Sequence, residues 1–144
     1  MNGPKSNNPI DKYKETQIKT ANQGKLIVML YDGAIKFLNA ARDAIINKKT
    51  EEVHNKITRA QDIIMELLLS LNMEAGDIAS KLYNLYIYMN KRLIEANIYK
   101  KTEPVDEVLK MLTELKEVWA QIASQNTPGD DTALEKNTSV NFTT

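Results

Sequence analysis

The sequence predicts an all-α fold: an antiparallel up-down-up-down four-helix bundle with a flexible N-terminal segment and a disordered C-terminal tail. Three observations predict it. Apolar residues between 22 and 124 recur at spacings of three and four rather than two, the period of a helix with one buried face. Five glycines and four prolines stand mostly at the ends or at junctions, while Leu, Ile, Ala, Lys and Glu dominate the interior. The polar breaks between the four apolar stretches are too short for crossover connections, so consecutive helices should pack antiparallel.

The elements follow in order. Residues 1–21, opening with Gly3, Pro4 and Pro9 among Asn and Ser, read as a flexible segment. The first helix is expected from about Asn22 to Asn47, with Leu26, Leu30, Ala34, Phe37, Leu38, Ala41 and Ile45 on one face. Asn22 would cap it by accepting a hydrogen bond from an otherwise unpaired helix amide. Gly33 interrupts the apolar run "LIVMLYDGAIKFL". It costs roughly 1 kcal/mol of helix propensity, which a neighbouring backbone or bulky ring drawn close at a position without a side chain would offset. The second helix starts at Thr50, read as its cap, with Glu51 and Glu52 at the positive end of the dipole. It carries Val53, Ile57, Ala60, Ile64, Leu67, Leu68 and Leu71, and Gly76 supplies the turn after it. The third carries Ile78, Leu82, Leu85, Tyr86, Met89, Leu93 and Ala96. After "KKTEP", Pro104 sits in the first turn of a fourth helix with Val105, Val108, Leu112, Leu115, Trp119 and Ile122. Residues 22–124 thus form the bundle domain, and 125–144, "QNTPGDDTALEKNTSVNFTT", a disordered tail.

The helices carry more apolar surface than a bundle needs. On the third, Tyr83, Ile87, Asn90 and Ile94 make a second line rotated about a quarter-turn from the core line. Met65 and Leu69 repeat this more weakly on the second, and Val28, Ile35 and Ile46 lie off the core line of the first. Wide core packing accounts for any one of them alone. The set together suggests a groove filled by something else. Ile10, Tyr13 and Ile18, spaced along the polar N-terminal segment, are placed to fold back over part of that surface as a lid.

Composition narrows the partner. Nineteen basic residues balance nineteen acidic ones, without the basic excess of a nucleic-acid binder, so no nucleic-acid partner is expected. There is no cysteine, in keeping with a reducing compartment. No apolar run of signal-peptide or membrane-spanning length occurs, and a cytoplasmic protein with no membrane partner is expected. Catalytic constellations are poorly supported. His54 is the single histidine, so a His-pair metal site has no second member and a catalytic triad has at most one. The Glu-x-x-His signature of di-iron bundles is absent, as is a glycine-rich phosphate loop. No catalytic residue, metal or cofactor is expected.

"YKETQIKTANQGKLIVMLYDGAIKFLNAARDAI" (Tyr13 to Ile45) closely resembles the N-terminal signature of the bacterial flagellar export chaperone family FliS, with its Leu-Tyr-Asp-Gly-Ala block at a set distance from Thr-Ala. The likeness continues in "IASKLYNLYIYMNKRLIEANIYKK" and "VLKMLTELKEVW". Asn22 and Gln23 stand where the family has Ser and Pro, and Asn is an equivalent cap.

The resemblance implies a binding protein that is not an enzyme. It would hold newly made flagellin in the cytoplasm by its C-terminal segment, prevent premature polymerisation and keep the subunit competent for flagellar type III secretion. Carried onto this chain, Met65, Leu69, Tyr83, Ile87, Asn90 and Ile94 would line the client groove, with Asn90 as a polar contact. Ile10, Tyr13 and Ile18 would be displaced on binding. Leu30, Tyr31, Gly33, Ala34 and Trp119 are assigned to the bundle core. Family likeness also suggests export-gate components or other flagellar regulators as partners. The competing reading is a helical-bundle adaptor or regulatory module that self-associates through the same stripe, and the free protein is expected to be a monomer or weak homodimer.

Overall fold

The computed structural model describes residues 9–125, with side chains from residue 23 onward except those of 123 and 125. Four helices make it up: α1 (Pro9–Ile46), α2 (Thr50–Leu69), α3 (Asp77–Tyr99) and α4 (Thr102–Gln125). Among the described residues there is no strand. Each helix packs on its neighbours in sequence, and α1 closes the ring against α4, with no diagonal pairing of α1 with α3 or α2 with α4 among the described residues. That is the square, antiparallel up-down-up-down arrangement. The expectations for residues 1–8 and 126–144 lie outside the described residues.

The first helix begins earlier than its sequence cap. Asn22 lies inside α1, which starts at Pro9. Proline suits the first helical position because its missing N–H would be unpaired there anyway, and no glycine or proline follows until Gly24.

The turns are built economically. At the end of α1 the Lys49 amide donates to the Ala44 carbonyl (2.9 Å) and the Lys48 amide to that of Ile45 (3.1 Å), with Lys48 left-handed at φ 58°. This Schellman pairing satisfies carbonyls that the helix end would leave open. The Lys49 carbonyl at once accepts from the Val53 amide (3.0 Å), so Lys49 and not Thr50 takes the N-cap position. Thr50 is the first helical residue, displaced from the cap because the preceding turn already sets the backbone at Lys49. After α2, the Asn72 side chain accepts from the Glu74 amide (3.0 Å), Met73–Ala75 forms one 3-10 turn, and Gly76 reverses the chain at φ 82°. Lys100 ends α3 in the left-handed region, and Pro104 sits buried in the first turn of α4.

Fully buried side chains from all four helices meet on the axis, among them Leu38, Ile57, Ile64, Met89, Leu93 and Leu112. The core line of α1 runs Ile27, Tyr31, Ala34, Leu38, Ala41; that of α3 runs Ala79, Leu82, Tyr86, Met89, Leu93, Ala96. Leu30, Phe37, Ile45 and Leu85 pack half-buried beside these lines, and two expected core residues are exposed. Leu26 is 54% exposed and Ile78 41% exposed, because Ile27 and Ala79 hold the inward positions and the adjacent residue is turned roughly 100° away. Gly33 faces α2, where a Cβ would stand 3.2 Å from Ile63 Cδ1.

One polar group of three sits inside this apolar centre. The hydroxyls of Tyr31 and Tyr86 lie 2.5 Å apart, and Trp119 also bonds the Tyr31 hydroxyl, tying α1, α3 and α4 together. Burial pushes both tyrosine hydroxyls above their ordinary range, favouring the neutral phenols.

Candidate functional site

The two outer flanks of α3 differ in kind, and side-chain bonds tell which helix each one faces. The Tyr88 hydroxyl donates to Glu107 Oε2 (2.7 Å) and Arg92 Nε to Glu107 Oε1 (2.6 Å), so this flank faces α4. Arg92 also pairs with Glu95 (2.8 Å) and Glu103 (3.7 Å). Hydrogen bonds from Tyr88 and Arg92 hold the Glu107 carboxyl below its ordinary value, while the bond to Glu107 raises both the Tyr88 hydroxyl and the Arg92 guanidinium. The sequence reading missed this network, which spans two helices and has no local spacing signal.

The opposite flank of α3 is apolar. Asn97 Nδ2 and His54 Nδ1 lie 2.9 Å apart, which identifies this flank as the one turned to α2 and sets the register of the antiparallel pair. From that bond, helix geometry places Gln61 level with Asn90, Met65 level with Ile87 and Leu69 level with Tyr83. Met65 and Leu69 lie on the side of α2 that carries His54; Tyr83, Ile87, Asn90 and Ile94 lie on the side of α3 that carries Asn97.

The structure thus brings the six residues expected to line a groove onto one flank of the bundle. Tyr83, Ile87, Ile94 and Met65 are exposed large side chains, and Leu69 is 74% exposed. Asn90 is half-buried, and its Oδ1 is fully buried without a hydrogen-bond partner among the described residues. The row continues to Ile98, which is 66% exposed four residues beyond Ile94. That residue was overlooked in the sequence, although its spacing is the signal that found the others.

The remaining named residues fall elsewhere. Tyr31 and Ala34 are fully buried, Trp119 is 2% exposed, Leu30 packs half-buried against the core, and Gly33 lies under Ile63. Ile10, Tyr13 and Ile18 fall within the backbone span of α1, but their side chains lie outside the described residues. His54 is exposed at the start of α2. Among the described residues no group of His, Cys, Asp and Glu could hold a metal ion, and no helix is long and apolar enough to cross a membrane. The flank offers no nucleophile paired with a base; it can bury another apolar surface and make a few polar contacts.

Known proteins share this sequence over most of its length. The family described as "Flagellar protein FliS" matches residues 6–126. The flagellar secretion chaperone FliS of Bacillus subtilis is 35% identical over 114 residues, 79% of this chain and 85% of that protein. The flagellar secretion chaperone FliSB of Pseudomonas aeruginosa is 37% identical over 110 residues, 76% of this chain and 87% of its own length. The Salmonella typhimurium flagellar secretion chaperone FliS is 33% identical over 111 residues, 76% and 82% of the two chains. With a match across the whole bundle and relatives covered over more than four-fifths of their length, the chain belongs to the FliS family, a family of chaperones and not of enzymes.

Proposed function

We propose that this protein is a flagellar export chaperone that binds the C-terminal segment of flagellin in the groove between α2 and α3. It acts in the cytoplasm, where it prevents premature polymerisation and keeps the subunit competent for type III secretion. The observation that carries this reading is the unpaired apolar row of Tyr83, Ile87 and Ile94 facing Met65 and Leu69, in a chain of the FliS family. A stripe with three- and four-residue spacing on two neighbouring helices suits an amphipathic helix lying lengthwise between them. The segment around Ile10, Tyr13 and Ile18, whose backbone is helical at the start of α1, competes with the client for part of this surface by unwinding from that helix.

Isothermal titration with the C-terminal segment of flagellin from the same organism tests the reading. The expected result is one-to-one binding at sub-micromolar Kd with a large negative heat-capacity change, the mark of apolar burial. Ile87→Asp should weaken binding by at least about 2 kcal/mol, by placing an unpaired charge in the groove, with little change in melting temperature. Removal of residues 1–18 should preserve or strengthen binding, since a lid competes with the client. No complex with a folded protein, together with mass that rises with its own concentration, would overturn the proposal in favour of self-association.

A further inference from the structure

Asn90 is out of keeping with the surface around it. It stands between Ile87 and Ile94 in an otherwise apolar row, and its side-chain oxygen is buried with no hydrogen-bond partner among the described residues. Buried acceptors are nearly always paired, and a lone one destabilises the state that contains it. A leucine at this place would extend the row and remove that cost. Gln61, level with it on α2, makes no bond to that oxygen, so a rotation of the Asn90 carboxamide toward the bordering groove is what brings it to a donor from outside the bundle.

Resting on the reading of the groove as the flagellin site, we infer that Asn90 is a specificity-determining residue. It selects a client helix that carries an uncharged hydrogen-bonding side chain (Ser, Thr, Asn or Gln) in the middle of its apolar face. A client lying as a helix has already used its internal backbone amides, so its donor to Asn90 has to come from a side chain. Walls of Ile87 and Ile94 disfavour burying a charge, which leaves a hydroxyl or a carboxamide. Apolar client residues three or four positions to either side would then meet those two isoleucines. A client lacking the polar group would leave the Asn90 amide unpaired in a dry groove, the arrangement by which a polar site rejects an apolar competitor.

The test measures stability and binding in the same variants, with full-length Asn90→Leu and Asn90→Ala titrated against the C-terminal flagellin segment. Asn90→Leu is expected to raise the melting temperature of the free protein while weakening the complex about tenfold or more, about 1.4 kcal/mol. Alanine substitution of the segment's Ser, Thr, Asn and Gln residues one by one should reveal one position that weakens binding to the native protein but not to Asn90→Leu, the coupling of a direct contact. A lower melting temperature for Asn90→Leu would overturn the inference by showing that the amide is satisfied within the bundle. Unchanged affinity in Asn90→Leu beside a clear loss in Ile87→Asp would overturn it too, while leaving the groove standing. A native protein that binds no flagellin segment would overturn the groove reading itself.

Discussion

Lys48 holds a left-handed backbone, φ 58°, where a residue with a side chain is strained and glycine is not. The Schellman turn at the end of α1 requires that conformation, so Lys48→Gly is expected to stabilise the protein by about 1 kcal/mol, read as a higher denaturation midpoint at unchanged slope. The turn was not legible in the sequence because no glycine marks it: a lysine takes the role, as Lys100 does after α3. Gly76 was legible, since it carries the expected reversal at φ 82°. Gly33 was legible as a tight contact, although the close neighbour is the Ile63 side chain and not a backbone or a ring. Leu26 and Ile78 were misplaced for a local reason. Each stands beside a second apolar residue, and the hydrophobic pattern alone does not decide which of two adjacent positions faces inward.

At the scale of the helix, α3 has one flank closed by charge and one left apolar. The closed flank depends on Glu107, whose folded-state pKa is lowered by its bonds to Tyr88 and Arg92. A carboxyl with a depressed folded pKa contributes stability above its unfolded value of about 4.3 and loses it as pH falls through the folded value. Glu107→Gln should therefore lower the melting temperature at pH 7. The gap to the native protein should close as the pH drops through the lowered folded value, where both side chains are neutral. The effect is modest because the carboxylate is 40% exposed and the pairing is screened by solvent. Melting curves at a series of pH values check it. The faces of α2, α3 and α4 could be read from periodicity, but the beginning of α1 could not. Asn22 has the chemistry of a cap, yet nothing in residues 10–21 breaks a helix, and Pro9 is itself a good first residue.

Across the whole molecule, the bundle was legible because every level of the sequence agreed on it: helical period, short breaks and breakers kept to the junctions. The exposed apolar lines on α3 and α2 were legible from periodicity, but that they share one flank was not, since an offset stripe can lie to either side of the core line and the His54–Asn97 bond decides it. The hydroxyl and indole group at the centre was not, because Tyr31, Tyr86 and Trp119 are 55 and 33 positions apart and no local rule pairs them. That centre gives the protein an intrinsic optical reporter. Trp119 is the single tryptophan, buried and bonded to Tyr31 on the axis rather than on the α2 and α3 flank. Its emission should shift to longer wavelength on unfolding and stay unchanged when a tryptophan-free client occupies the groove. Fluorescence would then separate loss of fold from loss of binding in every variant named above, without a label and in a single cuvette.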